Sequence, residues 1–219
     1  MLINNNDKLK YTINKVNIQN ITKQKFLVID VEATGLDIEK DYIIEFACIP
    51  VINGRILDKE AFCSFIKSPK PIPSQIERFT GISNQDIVNA PLFKTVITKI
   101  LDKYAHFIWV AQCGFEFDFP IIENICKKEN INFSPKKMDT KVLFAFLYQN
   151  LDETFSTDFL KNYFNIDSSD LKRHTALGDV ILIARILQKI IKIYEQKKIK
   201  DLIIDKPITI KKFVPHRLI

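Results

Sequence analysis

The sequence predicts an α/β domain, and three observations carry that reading. Lys25-Phe26-Leu27-Val28-Ile29-Asp30 is a continuous apolar run closed by an acid, the pattern of a central strand buried on both faces. Ile43–Ile52 is a second apolar run, and it ends on Asn53-Gly54, the strongest short signal for a tight hairpin. Ala176, Leu177, Val180, Ile183, Ala184, Leu187, Ile190 and Ile191 recur at helical spacing and give one apolar face to a helix running from Ala176 to Lys198.

The elements follow in order. Residues 1–24 are polar, rich in Asn and Lys and without a steady period; they are expected to form an N-terminal extension, either an extra strand or a loosely held arm. Residues 25–198 are expected to form the domain. Arg55–Ile66 alternates as a third strand, so the domain opens as a meander. Lys67–Pro73 is a proline-bearing loop, and Pro73-Ser74 starts a short helix at Gln75. Asn84–Ile87 and Pro91–Tyr104 read as helices, the latter with Phe93, Val96, Ile97, Ile100 and Leu101 on one face. Phe107–Ala111 is a fourth strand, and helices follow at Pro120–Lys128, Thr140–Tyr148 and Phe155–Tyr163. Residues 199–219 are a basic tail in which Ile208, Thr209, Ile210 and Lys211 alternate like an edge strand.

Composition excludes several classes. At 219 residues the chain buries enough surface to need no disulfide or structural-metal staple. With 47% hydrophobic and 26% charged residues it is not a disordered chain. No apolar run reaches the roughly 18 residues of a membrane span, and Val180–Ala184 is among the longest. The start carries no basic-then-apolar leader, and Cys48, Cys63, Cys113 and Cys126 lack metal or disulfide spacing. These features lead to the expectation of buried thiols and a cytoplasmic location. The net charge of +6 is uneven: residues 1–184 hold 22 Lys/Arg against 23 Asp/Glu, and residues 185–219 hold 10 against 3. A near-neutral body with a basic end does not by itself name a substrate.

Chemistry concentrates in three places. Asp30 and Glu32 stand two apart at a strand end, so their side chains share a face, unless they are simply solvated acids; Ala33-Thr34-Gly35-Leu36 turns directly beyond them. Asp118 falls at a strand-to-helix junction, where it serves either the site or as a helix cap. His174 and Asp179 flank the start of the last long helix. They share a site only if His174 lies on the preceding loop; otherwise His174 is a surface residue. Four carboxylates in one closed site would repel each other and call for Mg²⁺ or Mn²⁺. Two such ions suit in-line displacement at phosphorus, with a neutral His as general base.

In order and spacing these motifs resemble a known family. Asp30-Val31-Glu32-Ala33-Thr34-Gly35-Leu36, Gly114-Phe115-Glu116-Phe117-Asp118-Phe119-Pro120 and His174-Thr175-Ala176-Leu177-Gly178-Asp179 are similar to the motifs of the DEDDh branch of the DnaQ-like 3′–5′ exonucleases. The second motif most resembles that of the three-prime repair exonucleases. Weaker matches are Phe79-Thr80-Gly81-Ile82-Ser83, Ala90-Pro91-Leu92-Phe93 and Met138-Asp139-Thr140, and the resemblance covers residues 25–192. It implies a ribonuclease H-like mixed β-sheet flanked by helices. It also implies two Mg²⁺ or Mn²⁺ ions held by Asp30, Glu32, Asp118 and Asp179, with Asp30 bridging both. His174 would be the general base, and nucleoside 5′-monophosphates would be released from 3′ ends of DNA or RNA. Thr34, Gly35, Leu36 and Ile82 would contact substrate, with Leu36 a wedge between bases or an ordinary loop residue, and Ile82 lining the base or packing in the core. Gln112-Cys113 departs from the family's usual His-Asn, and Cys113 lacks the amide hydrogen bonds of Asn.

A second reading makes the chain an exonuclease-fold docking or proofreading module within a polymerase complex, with a protein partner on the basic C-terminal segment. The abundance of Ile, Lys, Asn and Phe also fits an AT-rich coding sequence, so the 17 Phe are expected in the core rather than as base-stacking platforms.

Overall fold

The apolar run at Lys25 does form the central strand. In chain order the computed structural model, which describes residues 1–5 and 8–213, has β1 (Leu2–Asn5), β2 (Lys10–Asn14), β3 (Val16–Ile18), β4 (Lys25–Ala33), β5 (Ile43–Ile52), β6 (Arg55–Ile56) and β7 (Phe62–Phe65). Helices α1 (Ser74–Thr80), α2 (Asn84–Ile87) and α3 (Phe93–Tyr104) lead to β8 (Ile108–Ala111) and α4 (Asp118–Lys128). Then come β9 (Lys136–Asp139), α5 (Thr140–Leu147), α6 (Thr157–Tyr163), α7 (Ala176–Gln196), β10 (Leu202–Ile204) and β11 (Ile208–Lys211).

The main sheet has the order β6-β5-β4-β8-β9, with β7 also on β5. It is mixed: β4 and β5 are antiparallel, whereas β4–β8 and β8–β9 are parallel. Parity along β4 divides the core. Phe26 and Val28 face α5 and α7, while Leu27, Ile29 and Val31 face α3 and α4. Asp30 and Glu32 continue the first set, so both carboxylates stand on the α7 side. α7 packs across β4 and β5, burying Val180, Ile183, Ala184, Leu187, Ile190 and Ile191 as its periodicity predicts.

Several expectations are corrected. The third strand is broken by a 3₁₀ turn at Asp58–Glu60 into β6 and β7. Strand β9 was not expected, because Lys136 and Lys137 obscure it and only parallel pairing with β8 creates it. Cys63 is exposed rather than buried, because it sits on the edge strand β7. Of the two alternatives for the first 24 residues, the strand is the one found, in place of a loosely held arm: β2 pairs with both β1 and β11, and β3 pairs with β10. Tyr11, Ile13, Val16, Leu202, Ile208 and Ile210 are buried in the α7-side core. Both chain ends therefore close over the same body; residues 214–219 of the basic tail lie outside the described residues.

Candidate active site

The site forms where the sheet runs out of partners. The parallel ladder from β4 to β8 spans Phe26 to Val28, so beyond it the C-terminal end of β4 is open on that side. Asp118, the first residue of α4, comes near this strand end, where the Val31 backbone N–H lowers its carboxyl's pKa against the larger effect of burial. It is buried, and the position before it, Phe117, makes no side-chain cap. Asp118 is therefore a buried acid inside the first turn of the helix rather than its cap.

The fourth acid arrives on α7. Thr175 caps this helix by accepting the N–H of Gly178 at 3.2 Å. Glu45 on β5 accepts the N–H of Ala176 at 2.8 Å, which fixes the helix start to the sheet. His174 lies on the preceding loop with a left-handed backbone, φ 61°. Its N–H donates to Asp179 Oδ2 at 2.9 Å, and Arg173 Nε donates to Oδ1 at 2.5 Å. Carboxylate oxygens of Asp30, Glu32 and Asp179 lie within 4.8 Å of one another. Asp118 stands outside this tight trio, yet it exerts the largest charge effect on Asp30.

Crowding of like charge dominates the electrostatics. Desolvation, then Asp118, Glu32, Asp179 and Glu45, raises Asp30 well above the usual carboxylate range. Glu32 is pushed up to about 8, by desolvation first and then by Asp179, Glu45 and Asp118. Asp118 is pushed up to about 7, mainly by desolvation. Convergent oxygen donors that resist ionisation together fit hard divalent cations such as Mg²⁺ or Mn²⁺. Without a cation, Glu32 and Asp118 bind protons more tightly folded than at their ordinary values of 4.5 and 3.8. Their contribution to metal-free stability is undiminished below those values and is lost as pH rises through 7 to 8. The Tm of metal-free protein should accordingly fall from about pH 5 to pH 8, while Mn²⁺ binds more tightly over that interval as it displaces protons. Thermal scans and titration calorimetry across pH check this; a flat Tm with a pH-independent Kd would contradict it.

Beside the acids lies a cleft lined by Glu32, Gly35, Leu36, Phe79 and Phe117. The turn that shapes it closes on Asp41, which accepts from Thr34 Oγ1 at 2.8 Å, the Asp37 N–H at 2.8 Å and Lys70 Nζ at 2.5 Å. Gly35 is required by this closure, since a Cβ there would stand 2.5 Å from Asp41 Oδ2. Thr34 is buried and braces the turn, whereas Leu36 is 51% exposed at the cleft. Ile82 takes the packing alternative: it is buried with Ile44, Ile72, Ile76 and Ile87 under α1 and α2 and does not line the cleft.

Two residues gained no site role from the sequence. Phe79 is 44% exposed, and its ring packs against the His174 imidazole with centroids 4.5 Å apart. Glu45 pairs in register with Glu32 and also accepts from Cys63 Sγ at 3.3 Å. Its signal was visible as the one charge inside the apolar run Ile43–Ile52. Gln112, at the family's His position, turns inward: Nε2 donates to the Phe155 carbonyl at 2.7 Å, and Oε1 accepts from Thr140 Oγ1.

Gly178 is the tightest point. A Cβ would fall 1.9 Å from the Lys172 carbonyl oxygen, so the loop carrying Arg173 and His174 would have to move. Gly178→Ala should cost about 1–3 kcal/mol, lowering Tm by about 2–4 °C per kcal/mol. It should also depress activity beyond what the lost stability explains, as a melting curve set beside an activity assay will show.

Comparison with known proteins gives the family and the fold. The family model described as RNase_T, exonuclease, matches residues 27–187. A PolC-type DNA polymerase III from Caldanaerobacter subterraneus subsp. tengcongensis is 31% identical over 81% of this chain and 12% of its own length. The 3′–5′ exonuclease DinG of Staphylococcus epidermidis is 29% identical over 78% of this chain and 18% of its own. The chain thus spans under a fifth of either relative. Among solved structures, the nuclease domain of 3′hExo, a DEDDh family member bound to rAMP, superposes with a TM-score of 0.68 at 17% identity, covering 84% of this chain and 97% of that one. The mixed sheet flanked by helices is the ribonuclease H-like fold of these exonucleases. With its family match and its motifs in order along that fold, the chain belongs to the DnaQ-like 3′–5′ exonucleases.

Proposed function

We propose that this chain is a divalent-cation-dependent 3′–5′ exonuclease that shortens nucleic acid ends by releasing nucleoside 5′-monophosphates. The observation that carries this reading is the convergence of Asp30, Glu32 and Asp179 within 4.8 Å, with His174 exposed at the same helix start. Asp30, Glu32 and Asp179 would hold one ion, and Asp30 with Asp118 a second. Bound divalent cations supply the positive charge that the scissile phosphate and its leaving oxygen require. His174 takes the proton of the attacking water. The terminal P–O3′ bond breaks, leaving a 3′-hydroxyl on the shortened strand.

The cleft supplies a place for the terminal nucleotide. Exposed Leu36 and Phe79 line this cleft and would offer apolar surface to a base, with Leu36 as the wedge. Thr34 and Gly35 act indirectly, by holding the Leu36 turn. The test uses 5′-labelled single- and double-stranded DNA and RNA with Mg²⁺ or Mn²⁺. Stepwise shortening from the 3′ end with 5′-mononucleotide product supports the reading; internal cleavage or no cleavage of any of the four rejects it.

The size of the relatives favours a further layer, in which this domain works within a larger polymerase or DinG-like assembly. The basic C-terminal segment is the candidate contact for a protein partner. Co-purification of the wild type beside Lys200→Glu/Lys206→Glu, which reverses two exposed charges and leaves the buried strands β10 and β11 in place, distinguishes docking from an unassisted nuclease.

A further inference from the structure

Behind the acids, a lysine is sealed in the protein. Lys141, in the first turn of α5, has a side chain with 0% exposure. Its Nζ donates to Glu116 Oε1 at 2.5 Å and to the backbone carbonyl of Lys211 at 2.7 Å. The other Glu116 oxygen accepts the Phe213 N–H at 2.7 Å. A buried ion pair is therefore closed on both partners by the backbone around the end of β11.

Its location is more informative than its strength. Burying a lysine and a carboxylate costs about as much as their attraction returns, so the pair is a poor device for stability alone. Glu116 belongs to the loop between β8 and α4, two residues before Asp118. The same loop is held one residue earlier, where Asp139 Oδ2 accepts the Phe115 N–H at 3.4 Å. Asp139 Oδ1 accepts the Lys141 N–H at 2.8 Å, so both holds issue from one turn of chain. From the far side β11 is anchored by pairing with β2 and by Lys211 Nζ, which reaches the Asp152 carbonyl at 3.0 Å.

We propose that Lys141 and Glu116 are positioning residues for Asp118, and that β11 completes them. The C-terminal segment is on this view part of the catalytic scaffold, in addition to whatever else it touches. The inference rests on the proposed reading that Asp118 holds the second cation.

The test compares the full chain with the double variant Glu116→Gln/Lys141→Met, which removes both charges at similar volume. Phe213→Pro serves as a milder variant that deletes one N–H at an exposed position. Melting temperature, kcat and KM on a single-stranded oligonucleotide, and Mn²⁺ binding isotherms are measured for each. For the double variant, kcat is expected to fall about 10–100-fold with KM unchanged, and the weaker Mn²⁺ site to lose about tenfold in affinity while the tighter one is preserved. Phe213→Pro should move the same quantities less, with a wild-type melting temperature. Wild-type kcat and both Mn²⁺ affinities in the folded variants would overturn the proposal, as would a rise in KM alone, which would assign the segment to substrate binding. The Mn²⁺ isotherms report on positioning even if the wild type degrades no polymer, so failure of the nuclease reading stays distinct from failure of this one.

Discussion

Asp30→Asn is expected to abolish nucleotide release and the stabilisation by Mn²⁺, while leaving the metal-free fold at least as stable as the wild type. Asp30 is the acid nearest all the others in effect: Asp118, Glu32, Asp179 and Glu45 each raise its pKa, after desolvation. Asn is close to Asp in shape but carries no charge. Removing that carboxylate relieves repulsion on its neighbours, so the metal-free Tm should hold or rise above neutral pH. A cation, by contrast, loses the ligand expected to bridge both positions. Thermal scans with and without Mn²⁺, paired with a nuclease assay, read the two effects separately. Retained turnover, or an unchanged Mn²⁺-induced rise in Tm, would remove Asp30 from its assigned place.

His174→Ala separates chemistry from binding. The side chain is exposed, and only its backbone N–H reaches Asp179. Truncation therefore leaves the carboxylate trio and its hydrogen bond intact. Loss of a general base should lower kcat about 10²–10⁴-fold, with Mn²⁺ affinity and Tm near those of the wild type. Removal of the ring also uncovers Phe79, whose ring it meets at 4.5 Å, so a modest change in KM is expected from the cleft wall. Mononucleotide release at a near-normal rate would sink the role given to His174.

What could be read from the sequence was local. The β4 run, the Asn53-Gly54 hairpin and the apolar face of α7 each carry their signal within a few adjacent residues. The acids were legible because they fall at element ends, where short motifs mark a turn or a helix start. Features made by distant partners were not. β9 is a strand only because β8 runs beside it, and β2 finds β11 across nearly the whole chain. Lys141 looked like one more lysine, yet it is wholly buried because Glu116 and the Lys211 carbonyl meet it there. Within the basic residues 185–219, Lys211 pairs with Asp152 at 2.8 Å, a partner in a distant loop. Ile82 shows the converse, a motif neighbour whose side chain serves packing beneath α1 and α2.

Four acids and one histidine are proposed to build a site for two cations at the end of β4. Anomalous diffraction from crystals soaked in Mn²⁺ with a nucleoside 5′-monophosphate tests this most directly. Two peaks are expected, one among Asp30, Glu32 and Asp179 and one between Asp30 and Asp118, with the phosphate against both and His174 facing it. A single peak away from Asp118, or none at these carboxylates, would contradict the two-cation site.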